Sequence, residues 1–187
     1  MIRDPDLDDE LAALLEESML ADALDPVAPA PALRARLIDT IAAVPSGPGV
    51  LERFTARFAA IFDVTVERAR ELFAHACDPS SWEPGPGPGT WLIHFEAGPA
   101  CAGADTGFVK TSPGARFPWH HHHGPEQNLI LAGQALDSTA GLLSPGDEPA
   151  MGTDTEHDFT VVGDEPFLYA VRVFGVEFNV PRPGETK

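Results

Sequence analysis

The order of apolar and polar positions divides the chain into two unlike parts. In the first part the apolar residues recur at helical spacing. Leu7, Leu11, Leu14, Leu15 and Met19 fall on one stripe with acids on the other face, and Pro5 suits a first helical turn. This predicts a helix ending near Asp25-Pro26. After the Pro/Ala stretch from Pro26 to Pro31, Leu33, Leu37, Ile38 and Ile41 repeat the pattern until the run from Pro45 to Gly49 stops it. A third helix is expected from Val50 to Phe62 through Leu51, Phe54, Phe58 and Ile61. A fourth is expected from Val66 to Ala76, with Thr65 as its N-cap. Residues 1–77 thus read as a helical region of four short helices.

Asp78 to Gly89 is crowded with proline and glycine, which neither a helix nor a central strand accommodates, so it reads as a linker. From Thr90 the period becomes two. β-rich runs cover Trp91 to Glu96, Gly107 to Thr111, Glu126 to Leu136, Asp158 to Val162 and Phe167 to Asn179, separated by turn residues. Residues 90–183 therefore predict an all-β sandwich or barrel. Within Glu126–Leu136, Glu126, Asn128 and Ile130 share one side and can line an interior, while Leu129 and Leu131 face the other way. Phe167 to Phe174 is apolar on both sides too. Such outward leucines need cover, from helices or from a second copy in a homodimer.

Composition narrows the function classes. Twelve Lys+Arg against 29 Asp+Glu in 187 residues give a formal charge of −17, which repels a phosphate backbone or an anionic membrane surface. Nucleic-acid binding is excluded on that ground. Residues 1–25 hold nine of the acids against Arg3 alone, so nearly half of the charge belongs to one amphipathic helix, a surface suited to a basic protein partner. No apolar stretch approaches the roughly 18 residues of a membrane span, and the N-terminus has no apolar signal core. A cytoplasmic protein is expected. Cys77 and Cys101 are too far apart for a CxxC knuckle and are expected to be reduced, incidental thiols.

The chemistry concentrates in four consecutive histidines, His120 to His123. On a strand, residues two apart point to the same side, so His120 and His122 can face the interior while His121 and His123 face away. Past the turn at Gly124-Pro125, Glu126 can bring a carboxylate to the same point, and His157 offers a third imidazole. Three neutral imidazoles and one carboxylate suit a divalent transition metal such as zinc, iron, nickel or manganese, with positions left for water or substrate. His75 and His94 are expected to be structural, and Trp119 to belong to the core. Tyr169, Arg172 and Lys110 are candidates for contact with a small molecule.

These residues resemble the cupin superfamily. Its first motif, a glycine, His-x-His, a glutamate and a second glycine at set offsets, is met by Gly114, His120, His122, Glu126 and Gly133. The register through His121 and His123 misses the glycine. The second motif is matched in spacing from Gly146 to His157, with Gly152 and Asp154 in place of a proline and a glycine, and Val161 in place of an asparagine. The short connection between the motifs implies a tight hairpin. The run His120-x-His122-x-Gly124-x-Glu126 is similar to the ChrR-type cupin of certain bacterial anti-sigma factors, a likeness covering about residues 50–180. The resemblance implies a double-stranded β-helix, a jelly-roll barrel, behind a small helical region, with the metal on His120, His122, Glu126 and His157. In such anti-sigma factors the helical domain holds its own zinc through a His and a Cys-x-x-Cys and clasps a sigma factor. Residues 1–49 contain neither His nor Cys.

The leading expectation is a metal-binding ChrR-like cupin that binds or transforms a small molecule, with a sensory or anti-sigma-like role implied by resemblance. The alternative is a metal-dependent cupin enzyme of dioxygenase or isomerase type. An interaction module docking its acidic helix on a basic partner is the third.

Overall fold

The computed structural model describes residues 48–178 and 180–182, and the two helices expected before Pro26 and over Leu33 to Ile41 lie outside them. The segment expected as a third helix is in three pieces: α1 (Pro48–Leu51), a 3-10 turn (Glu52–Phe54) and α2 (Thr55–Phe62). The break has a local cause. The Thr55 hydroxyl donates back to the Glu52 carbonyl at 2.8 Å, a bond at i−3 spacing that tightens the turn. The next helix, α3 (Val66–Ala76), has the expected bounds, and the Thr65 side chain accepts the Arg68 N–H at 3.1 Å as its N-cap. At its other end the Trp82 indole donates to the Ala76 carbonyl at 3.1 Å.

Among the described residues eleven strands follow: β1 (Glu83–Pro84), β2 (Thr90–His94), β3 (Asp105–Thr111), β4 (Arg116–His122), β5 (Glu126–Ala132), β6 (Gln134–Asp137), β7 (Gly141–Leu143), β8 (Ala150–Met151), β9 (Glu156–Val162), β10 (Phe167–Val173) and β11 (Val176–Phe178). They form two antiparallel sheets, ordered β1-β2-β3-β10-β5-β8 and β11-β4-β9-β6-β7. Two runs that read as continuous strands each divide at a glycine. Gly133 separates β5 from β6 at φ 67°, and Gly175 separates β10 from β11 at φ 93°. In both cases the chain leaves the first sheet and enters the second, a corner that requires a left-handed residue. The connection between the two histidine-bearing motifs is the hairpin β6–β7, as its length implies.

The expected jelly-roll barrel is not formed, because the two sheets stay open and, among the described residues, no strand pairs across from one to the other. The edge strands explain this. β1, β7, β8 and β11 have two or three residues each, and Pro84, Pro86, Pro145, Pro149 and Pro181 stand in or beside them. Proline has no N–H to give a ladder, so these edges cannot extend far enough to close.

Three layers result. Between the sheets, Val109, Ile130 and Tyr169 of the first pack on Phe117, Phe159 and Val161 of the second. On the far side of the first sheet, Phe108, Leu129, Leu131 and Ala170 are buried against Phe58, Phe62, Leu72 and Phe73 of α2 and α3. The outward leucines are thus covered by helices. The helix end is pinned as well: Asp63, left-handed at φ 52°, stops α2, its carboxylate accepts the Ala100 N–H at 2.8 Å, and the Phe62 carbonyl accepts the Gly98 N–H at 2.9 Å. A Cβ at Gly98 would overlap the Asp63 carbonyl, so only glycine permits this approach.

Candidate metal centre

His120 and His122 lie on β4 and His157 on β9, all in the second sheet, while Glu126 opens β5 in the first. The turn through Gly124-Pro125 carries the chain from one sheet to the other, so three imidazoles meet a carboxylate in the gap between the layers. All four residues are buried, and one donor atom from each falls within 4.8 Å of the others. The ring centroids of His120 and His157 are 4.4 Å apart, and His122 Nε2 is 3.2 Å from Glu126 Oε2.

One feature of β4 was not legible as a pattern. Phe117 pairs with Phe159 and His120 with His157, so three steps along β4 match two along β9, which is a bulge. Pro118, with no N–H, sits in it. The extra residue reverses the alternation and lets both Phe117 and His120 face the interior, and it turns the Pro118 carbonyl toward His120 Nδ1 at 2.8 Å.

Each imidazole is oriented by its Nδ1. His120 Nδ1 donates to the Pro118 carbonyl and His157 Nδ1 to Asp137 Oδ2 at 2.7 Å. The Thr155 hydroxyl gives its hydrogen to the Gly152 carbonyl at 2.7 Å, so its oxygen accepts from His122 Nδ1 at 3.1 Å. With Nδ1 protonated in all three rings, every Nε2 presents a lone pair. His122 Nε2 and His157 Nε2 are buried without a hydrogen-bond partner, an arrangement that is unfavourable unless a cation stands between the nitrogens and the carboxylate. Burial first, then the neighbouring charge of His157, holds His120 down at about 4, so its ring is neutral at pH 7. Burial pushes the Glu126 carboxyl up, but His122 and His157 in their protonated forms and the Asn128 amide, which donates to Glu126 Oε1 at 2.7 Å, outweigh it and hold the group below its ordinary range. The donor set fits a divalent transition metal.

A profile of the ChrR cupin-like domain family matches residues 71–173. The chain belongs to that family. Among solved structures this ChrR cupin-like protein is similar to Rhodobacter sphaeroides SigE in complex with the anti-sigma ChrR, at 17% identity over 90% of this chain and 82% of that one, with a TM-score of 0.51. An acetylacetone dioxygenase from Acinetobacter johnsonii matches at 14% identity over 58% of this chain and 77% of that one, TM-score 0.48. KdgF from a Halomonas species matches at 20% identity over 55% and 90%, TM-score 0.44. At these identities the likeness is one of fold. No curated protein is significantly similar in sequence.

In this ChrR cupin-like protein the remaining histidines stand apart from the cluster. His121 and His123 point outward and face Glu156 and Glu177, respectively. His75 bonds the Ser81 hydroxyl at 2.9 Å, and His94 faces Asp105 at 3.7 Å. Trp119 is half-buried with the Arg182 guanidinium over its ring. Of the three proposed small-molecule contacts only Tyr169 faces the interior. Arg172 binds the Ile61 carbonyl and Gln127 on the helical side, and Lys110 lies over Trp82. Asp154, where the second motif has glycine, adopts φ 60°, a left-handed conformation that aspartate tolerates better than most residues.

Sequence reasoning missed Asp137. Burial pushes its carboxyl up, but the His157 hydrogen bond and the Ala140 and Thr139 N–H groups hold it well below the usual carboxylate range. It is therefore a buried anion that fixes His157. The available signal was an aspartate opening a Ser-Thr-Ala-Gly turn, which reads equally well as ordinary turn chemistry. Asp137→Asn keeps an oxygen there but removes the charge, so metal affinity is expected to fall about 10- to 100-fold. Competition with a chromophoric chelator checks this, and an unchanged affinity would show that Asp137 does not support the ligand.

Proposed function

We propose that the protein is a metal-dependent cupin enzyme acting on a small molecule, with His120, His122, Glu126 and His157 holding one divalent ion. The observation that carries this reading is a cavity of about 320 Å³ whose lining includes His120 and Glu126, so the cluster opens onto space fit for a ligand. A bound divalent ion supplies Lewis acidity and open coordination positions. The protein's own groups do the rest. Asp137, Thr155 and the Pro118 carbonyl keep the rings in one tautomer, and apolar walls exclude water. Glu126 takes a proton from a ligand oxygen or carbon only on leaving the ion, which the three imidazoles would go on holding.

A second reading, a sensory domain joined to a basic protein partner such as a sigma factor, is favoured by the family match and by the nine acids within residues 1–25. Metal analysis of the untagged protein is the first test. About one equivalent of zinc, iron, nickel or manganese is expected, and less than about a tenth of an equivalent after reconstitution would sink the metal site. Oxygen consumption or substrate isomerisation by the loaded protein favours the enzyme. Co-purification with a sigma factor, without turnover, favours the sensor.

A further inference from the structure

The cavity's own chemistry restricts what it takes, an inference that rests on the metal-dependent reading above. Its walls are apolar, with Leu92, Val109, Phe117, Val171, Val173 and Phe178 among them, and among the described residues neither lysine nor arginine lines it. The acidic side chains on its lining are Asp105, exposed at the mouth beside His94, and buried Glu126. Behind the cluster, buried Asp137 adds a second negative charge through His157. Two carboxylates already balance one divalent ion. An anionic ligand would leave a net negative charge among apolar walls with no cation to offset it, which is strongly unfavourable.

Apart from the cluster itself and from His94 and Asp105 at the mouth, one polar side chain on the lining is left for a ligand to use. Tyr169 is buried and lines both this cavity and the small pocket behind it, and His120 and Glu126 also line both. Its hydroxyl makes no hydrogen bond to any of the described residues. The other hydroxyl on the lining, Thr106, is committed to the Phe95 carbonyl at 2.5 Å. Burial, and then the charges of Glu126 and Asp137, push the Tyr169 phenol well above its ordinary value, so it stays a donor across the physiological range.

We propose that the cavity binds an uncharged, largely apolar small molecule of about ten non-hydrogen atoms, with a carbonyl-type oxygen that accepts the Tyr169 hydroxyl hydrogen bond. Tyr169 is the chain's only tyrosine. Full-length, zinc-loaded protein labelled with 3-fluorotyrosine therefore gives a single fluorine resonance that reports on this position. Three probes matched in size separate the variables: acetophenone is neutral with an acceptor, benzoate is anionic, and cumene is neutral without an acceptor. Acetophenone is expected to shift the resonance saturably. Benzoate should bind at least about tenfold more weakly, and cumene about three- to tenfold more weakly, the range set by one hydrogen bond. By calorimetry, Tyr169→Phe should bring acetophenone down to the level of cumene and leave cumene unchanged. Benzoate binding as tightly as acetophenone, no saturable shift with any probe, or unaltered acetophenone binding by Tyr169→Phe would each overturn the proposal. Zinc content measured on the same samples judges the metal reading separately, since the order of the three probes and the retention of zinc are independent results.

Discussion

His157→Ala is expected to weaken metal binding at least about a hundredfold, while His121→Ala leaves it unchanged. The magnitude follows from the worth of a four-ligand zinc site, about 10–16 kcal/mol, which assigns about 3 kcal/mol to each ligand. The contrast follows from direction. His157 Nε2 is buried and unpartnered beside Glu126, whereas His121 lies on the outer face between Asp154 and Glu156. His120→Ala and His122→Ala should behave like His157→Ala. Elemental analysis after dialysis, with circular dichroism to establish folding, reads the result. Equal losses for His121 and His157 would mean that the wrong histidines have been assigned to the interior.

The second large effect concerns stability. Phe58 has no exposed surface, and its ring lies 4.5 Å from that of Phe62, 4.8 Å from Phe73, 5.5 Å from Phe95 and 5.6 Å from Phe108. It therefore joins α2 and α3 to the outer face of the first sheet. Phe58→Ala removes that ring from a packed cluster, and a loss of about 3–5 kcal/mol is expected from lost burial plus the cavity left behind. For a domain of this size that lowers the melting temperature by about 6–20 °C. Leu136→Ala, at 55% exposed, should change stability by no more than about 0.5 kcal/mol. Urea denaturation compares the two. A Phe58→Ala loss below about 1 kcal/mol would show that the helices are not held to the sheet through this ring.

Three of the four cluster residues, His120, His122 and Glu126, could be placed together from the sequence because their positions depend on short-range rules, whereas His157 reaches them through the pairing of β4 with β9. His120 and His122 share a side through the period of two, and a tight turn at Gly124-Pro125 returns the chain at Glu126. What the alternation could not convey was the bulge at Pro118, since an extra residue in one strand is defined only against its neighbour, here β9. Asp137 was hidden for the same reason. It is 20 residues before His157, and only the pairing of β6 with β9 brings them together.

Local sequence also determined the helix over Val66–Ala76 with its Thr65 cap, the β character after Thr90, and the two-sided apolar strands, because propensity, capping and alternation act within a few residues. Tertiary structure alone decided the rest. Helices cover Leu129 and Leu131, Gly133 and Gly175 serve as corners between sheets, and short proline-flanked edges keep those sheets from closing into a barrel. These outcomes depend on which distant segments compete for the same surface or ladder. That competition is settled by packing the whole chain, not by any window of it.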